Sequence, residues 1–359
     1  MIKCAQMKNT AHQITSNAIP GATLKGDLRS QTNTEKKFCD LSEPGLNTGI
    51  LAVFFKAVGD PLRLDILRML HHNAYGVLEL SEIFEAKQSG MSHHLKVLLN
   101  AGLVVTRREG NTIFYRRSPL PLEPAMQKLH RTLFAAIDLI EISHALTQRI
   151  QLINLERTQA SREFFEQNSG RFHAHQDLIA SYTQYGQIIN EFLDSISTKK
   201  GCVLEVGPGE GDFILDLSKR FDQVIALDTS KKMLNLSRKK VQEKKLTNVE
   251  LVHGDTKLIL ERKVLADCIT LNMVLHHTPD PAAIFNALAR LLARNGILIV
   301  TELCRHDQDW ARESCGDLWL GFEPNDLSSW ALAAGLHEGE SLYLAQRNGF
   351  QIQLRQFYN

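Results

Sequence analysis

From Cys202 onward, short apolar runs alternate with amphipathic helical stretches, and no other feature constrains the chain as much. The runs Cys202–Val206, Gln223–Asp228, Val249–His253, Asp267–Leu271 and Gly296–Glu302 predict a parallel sheet covered by helices on both faces. The first run leads into Gly207-Pro208-Gly209-Glu210-Gly211 and then an apolar helix from Phe213 to Phe221. Glycines at such a junction let the backbone approach a ligand closely, and the helix N-terminus favours an anionic group. A dinucleotide fingerprint needs a third glycine at position 212, where this chain has Asp. Asp228 closes the second strand, where a carboxylate accepts both hydroxyls of a ribose. Asn348-Gly349, between Ser341–Arg347 and Phe350–Phe357, predicts a terminal antiparallel hairpin.

The chain ahead of this region is patterned differently. Asp60-Pro61 starts a helix, continued by Leu62, Ile66, Leu67 and Leu70 at helical spacing. A second helix spans Glu79 to Ala86. A third follows a Gln88-Ser89 turn and stops before Gly102. Leu103–Arg108 and Thr112–Arg117 then form a hairpin around Glu109-Gly110-Asn111. In the third helix Met91, Leu95, Leu98 and Leu99 face the core. Ser89, Ser92, His93 and Lys96 make a separate polar stripe, which suits a helix entering a major groove. Between 86 and 118, Lys87, Lys96, Arg107, Arg108, Arg116 and Arg117 oppose Glu109 alone, in a chain with 41 Lys and Arg against 40 Asp and Glu. Such a local excess suits phosphate binding. On charge alone, a solvated helix beside a basic hairpin explains it equally well.

Residues 122–156 place Met126, Leu129, Leu133, Ile137 and Ile140 on one stripe of a long helix, and 160–197 form a helical connector. Residues 1–47, rich in Thr, Ser, Asn, Gln and Lys, read as a disordered tail or as an extension from an upstream start codon. No apolar run nears the roughly 18 residues of a membrane span, and no signal-peptide core is present. The six scattered cysteines include no Cys-x-x-Cys pair. A cytoplasmic protein without membrane contact or bound metal is the expectation.

Two stretches carry family resemblances. FFKAVGDPLRLDILRML, QSGMSHHLKVLLNAGLV and RREGNTIFYRR, within about 50–118, resemble the ArsR/SmtB family of dimeric winged-helix repressors. The resemblance implies a homodimer on a double-stranded DNA operator. Gln88, Ser89, Ser92, His93 and Lys96 would read DNA from the third helix, and Arg107, Arg108 and Asn111 would contact it from the wing. The positions matching the family's soft-metal thiolates are Ser81 and Ile83, so that site is absent. His130, Asp138 and His144 do not match its other metal spacing.

Glu205-x-Gly-x-Gly-x-Gly resembles motif I of class I S-adenosylmethionine-dependent methyltransferases, over about 160–359. The resemblance implies a site for S-adenosylmethionine or S-adenosylhomocysteine formed by Glu205, Gly207, Gly209, Gly211, Asp228, Asp255 and Asn272. Asp255 would contact adenine. His276 and His277, in the loop after the fourth strand, stand where some O-methyltransferases keep a catalytic histidine. The aromatic segment 304–322 is either a lid or ordinary packing.

The predicted fold is α/β. A disordered tail (1–47) precedes a mainly α-helical winged helix-turn-helix with a β-hairpin wing (48–120) and dimerisation and connector helices (121–200). A Rossmann-like class I methyltransferase domain with a C-terminal antiparallel hairpin follows (201–359). Two functions remain open. One is a transcription regulator answering to S-adenosylmethionine or its demethylated product, with methionine-cycle genes implied as targets. The other is a small-molecule methyltransferase, of unassigned methyl acceptor, that uses its winged helix to dimerise.

Overall fold

The computed structural model describes residues 46–71, 73–196 and 199–359, with all their side chains except those of 169–175 and 313. The expected tail falls outside these residues up to position 45. Residues 46–359 form one compact unit.

Its front consists of α1 (Thr48–Val58), α2 (Pro61–Met69), β1 (Tyr75–Gly76), α3 (Val77–Ile83), α4 (Gln88–Asn100), β2 (Val104–Glu109) and β3 (Thr112–Arg117). The strands pair antiparallel in the order β1-β3-β2. Asp60 caps α2 through the Arg63 amide (3.0 Å), with Pro61 in the first turn. Ile66, Leu67, Leu80, Ile83, Met91, Leu95 and Leu98 close this core. Leu99, expected inside, is 40% exposed.

The single helix expected over 122–156 is instead two, α5 (Pro124–Asp138) and α6 (His144–Ala180). Arg68 donates to the carbonyls of Ile140 (3.2 Å) and Glu141 (2.9 Å), and Ser143 caps the new start at Leu146. These bonds hold the intervening backbone out of helix. α7 (Tyr182–Ser195) follows.

The back half runs β4 (Cys202–Val206), α8 (Asp212–Ser218), β5 (Gln223–Asp228), α9 (Lys231–Glu243), β6 (Val249–His253), α10 (Thr256–Glu261) and β7 (Ala266–Asn272). It continues with α11 (Pro281–Leu291), β8 (Leu292–Leu303), α12 (Trp310–Cys315), α13 (Pro324–Ala333), β9 (His337–Ala345) and β10 (Gln351–Tyr358). The seven-stranded order is β6-β5-β4-β7-β8-β10-β9, parallel through β8 and antiparallel at β10 and β9. The strands are near-continuous apolar runs because helices cover both faces. The last hairpin turns over 346–350 rather than over Asn348-Gly349 alone. The Asn348 amide is held by the Leu178 and Ile179 carbonyls at the end of α6 (2.6 and 2.8 Å).

The wing is docked on the back half. Phe114 packs edge-on against Trp319, with ring centroids 5.2 Å apart. Arg107, predicted to face DNA, is buried: it pairs with Glu109 and donates to the Gly321 carbonyl (2.6 Å). Glu109 also accepts from the Leu320 amide (2.8 Å), and Arg312 donates to the Glu109 carbonyl (2.9 Å). Arg116 pairs with Asp326, and Arg117 with Asp138. Half of the cations counted in the basic stretch therefore neutralise this protein's own carboxylates. Burial pushes the Glu109 carboxyl up and the Arg107 guanidinium down, each opposed by the other's charge.

Removing one partner of such a pair leaves a buried charge uncompensated. Arg107→Ala is expected to lower stability by about 3–5 kcal/mol in denaturant unfolding. Arg108→Ala, at an exposed site, should change it by less than about 0.5 kcal/mol. The double variant Arg107→Met/Glu109→Leu should recover most of the loss; failure to do so would mean the pair is not the source.

Candidate cofactor cavity and nucleic-acid interface

The carboxyl ends of β4, β5 and β7 open into a cavity of about 730 Å³, the usual place for a ligand in an open α/β sheet. Glu205, Gly207, Gly209, Asp228, Asp255, Asn272 and His277 line it together. Gly207 has φ +69°, and a Cβ there would strike Val274 at 2.5 Å. Gly209 has φ +57° and nothing within 4 Å of a Cβ, so its bare backbone leaves room for a bound group. Gly211 does not line the cavity. It starts α8 at φ +89°, and a Cβ would crowd Ser237 of α9 at 3.1 Å. Its requirement is helix packing rather than ligand contact.

Glu205 is fully buried at the end of β4. It accepts from the Thr270 hydroxyl and from Asn272 Nδ2 (3.1 Å), and burial lifts its carboxyl to about 8. The amide of Asn272 is thereby fixed, with Oδ1 buried and lacking a hydrogen-bond donor. Asp228 accepts from the Ser230 amide (2.7 Å), and burial lifts it to about 6. Asp255 is exposed and caps α10 through the amides of Lys257 (3.0 Å) and Leu258 (3.4 Å), which occupies one carboxylate oxygen. Met273, at the cavity wall, holds φ +56°. Left-handed backbone at a non-glycine is costly and clusters at ligand sites.

The two histidines of the loop diverge. His277 reaches the cavity; burial and the adjacent His276 hold its imidazolium well below the ordinary range. His276 does not line it. Its Nδ1 lies 2.5 Å from Glu302, and its Nε2 lies 3.8 Å from Asp317. Burial pulls His276 down, but the carboxylates of Glu302 and Asp317 outweigh it and lift the group to about 9. A histidine so engaged is not a cavity base. The aromatic segment is packing: none of residues 304–322 lines the cavity, Trp319 and Phe322 are core, and Trp310 lies at the surface edge-on to Phe350.

Sequence reasoning missed the opposite wall. Asn154, Thr158, Ser161, Arg162 and Phe165 reach the cavity from α6. That helix serves both halves of the chain, so no single apolar period marks its cavity face.

On the front face, Gln88, Ser89, Ser92, His93 and Lys96 are all exposed on α4, while Met91, Leu95 and Leu98 are fully buried. His94 turns away toward Asp60 (3.8 Å) and Arg63 (3.4 Å). Lys87 and Lys96 make no ion pair among the described residues. At the wing, Arg108 and Asn111 are exposed, whereas Arg107 is not. A Cβ on Gly110 would lie 3.4 Å from Arg312, so the wing's turn touches the back half.

Comparison with known proteins agrees with both halves. The family described as bacterial regulatory protein, arsR family, matches residues 60–106, and a methyltransferase domain matches 204–300. The transcriptional activator HlyU of Vibrio cholerae is 40% identical over 92 residues, 26% of this chain and 85% of that protein. A demethylmenaquinone methyltransferase of Staphylococcus saprophyticus is 27% identical over 153 residues, 42% of this chain and 64% of that protein. The chain thus spans under two thirds of that relative. Among solved structures, N-methyltransferase NodS from Bradyrhizobium japonicum, in complex with S-adenosyl-l-homocysteine, aligns with TM-score 0.41 at 17% identity, over 52% of this chain and 97% of that one. The chain belongs to the ArsR family of bacterial regulatory proteins and carries a methyltransferase domain behind its DNA-binding module.

Proposed function

We propose that this protein is a transcription regulator whose methyltransferase-fold cavity takes S-adenosylmethionine or S-adenosylhomocysteine and whose operator affinity answers to which one is bound. The observation that carries this reading is a continuous set of hydrogen bonds between the cavity turn and the wing. The His276 carbonyl accepts from Leu318 (2.9 Å) and Trp319 (3.1 Å). The next two residues, Leu320 and Gly321, hold Glu109 and Arg107. A ligand pressing on the 275–278 turn therefore pulls on the strand pair behind the reader helix. Methionine-cycle genes are the targets we infer, from the family resemblance.

The residues suit the ligand. Asn272 Oδ1 lacks a donor, which an ammonium group supplies. Ionised Asp228 suits the ribose hydroxyls, and Gly207 and Gly209 leave the backbone bare. The bound sulfonium would supply an electrophilic methyl group and a positive charge that its demethylated product lacks. Exposed Leu122, Leu139, Leu152 and Leu155 on and beside α5 and α6 suit a homodimer. Turnover as a small-molecule methyltransferase is a second reading. It is favoured by His277, a neutral imidazole at the cavity wall.

In fluorescence anisotropy on the gene's own upstream DNA, exchanging one sulfur nucleoside for the other should change affinity about 5- to 150-fold, the usual range of coupling energies; identical curves would refute the regulator reading. Ser92→Ala, His93→Ala and Lys96→Ala together should abolish operator binding and leave nucleoside affinity in calorimetry unchanged. Asp228→Asn should weaken nucleoside binding at least about tenfold. In the unaltered protein, protons compete for the Asp228 carboxylate as pH drops. Affinity should therefore fall about tenfold per pH unit below about 6, and the Asn variant should lose that dependence.

A further inference from the structure

We propose that His276, His277 and Asp317 form a binding site for a first-row divalent transition-metal ion, zinc by preference, beside the nucleoside cavity. The two histidines occupy the short turn Leu275–His277 after β7, and Asp317 arrives just after α12. One ligand atom from each lies within 4.8 Å of the other two. Asp317 Oδ1 stands 3.8 Å from His276 Nε2 and 3.7 Å from His277 Nδ1, whose proton, now facing the Gly316 carbonyl (3.3 Å), the ion would displace.

Asp317 is 2% exposed, and neither of its carboxylate oxygens has a hydrogen-bond partner. A buried carboxylate without donors is costly. Had the cluster closed on hydrogen bonds alone, the nitrogen–oxygen distances would be about 2.7–2.9 Å. The observed spacings lie nearer the ~3.3–3.5 Å that separates ligands on a tetrahedron with zinc bonds of about 2.0–2.2 Å.

The surroundings are those of a metal histidine. Glu302 is buried, accepts from the amides of His276 (3.2 Å) and Leu303 (2.6 Å), and lies 2.5 Å from His276 Nδ1. A carboxylate behind one ring nitrogen orients the other toward an ion. Charge agrees: the two buried carboxylates Glu302 and Asp317 face opposite nitrogens of His276, and a divalent ion in place of the Nε2 proton would balance both. Two imidazoles and one carboxylate, with a further position open, is a donor set for zinc and for iron(II). The sequence gives no hint of this site, because adjacent histidines and an aspartate forty positions later match no ligand spacing. The ion would also tie the cavity turn to the segment that holds the wing.

The test uses full-length, untagged protein stripped with a chelator and titrated with zinc(II) by calorimetry and with cobalt(II) by visible spectroscopy. One ion per chain is expected, with cobalt d–d bands and no thiolate charge-transfer band. Asp317→Asn and His277→Gln should each weaken zinc at least tenfold, and Glu302→Gln by about 10- to 100-fold. No stoichiometric binding by the unaltered protein would overturn the site. So would thiolate bands, or zinc affinity unchanged in His277→Gln, whose fold circular dichroism checks and whose partly open position tolerates the change if Asp317→Asn does not fold.

Discussion

Arg157 of α6 joins the two halves. Its guanidinium makes a two-pronged pair with Glu79 of α3 (2.6 and 2.7 Å) and donates to the carbonyls of Ala74 and Pro279 (3.1 Å each). It also lies 5.1–5.5 Å from the ring centroids of Tyr75, Phe114 and Trp319. Desolvating a cation costs several kcal/mol unless its donors are met, and here they are met from both sides at once. Only a planar fork serves a carboxylate and two carbonyls while stacking among rings; a lysine has the charge without the geometry. The winged helix and the sheet therefore share one interior, and Phe114 of the wing belongs to the same apolar cluster as Leu204, Phe285 and Trp330.

That shared interior changes what the wing is for. A hairpin rich in arginine suggests phosphate contact, yet three of its four arginines end on this protein's own carboxylates. The exposed polar and cationic groups that remain are the stripe on α4, Lys87 and the wing's outer edge. The wing is anchored instead at Leu320 and Gly321. A movement of the 316–321 segment would carry the wing with it, because Glu109 and Arg107 are buried and bonded to that segment.

Much of the architecture was legible in the residues. Strands buried on both faces read as unbroken apolar runs, the Asp60-Pro61 pair announced its helix, and the glycine loop placed the cavity at the end of β4. What escaped had causes remote in sequence. The break between α5 and α6 is made by Arg68, 72 positions before the carbonyl it holds. Arg107 and Arg108 look alike in a hairpin, and only the alternation of strand faces against an unforeseen neighbour separates the buried one from the exposed one. Gly211 fits the loop pattern yet answers to α9, since a motif records which residue is small and not which neighbour demands it. The far cavity wall came from α6, whose thirty-seven residues face several environments and so show no single period.

His276 and His277 show how neighbours in sequence acquire different duties. The tight turn that carries them points one ring into the interior and the other to the cavity wall. Glu302, on the last parallel strand, then fixes the inner ring through Nδ1, so its remaining nitrogen can face only Asp317. Asp317 sits on the same short segment that receives the wing. A change of charge or contact at the 275–278 turn is thus felt first by a buried carboxylate with no hydrogen-bond donor of its own, and that carboxylate cannot shift without moving Leu318 and Trp319, which are bonded to the His276 carbonyl. This path is stiff, because close-packed interiors transmit displacement instead of dissipating it.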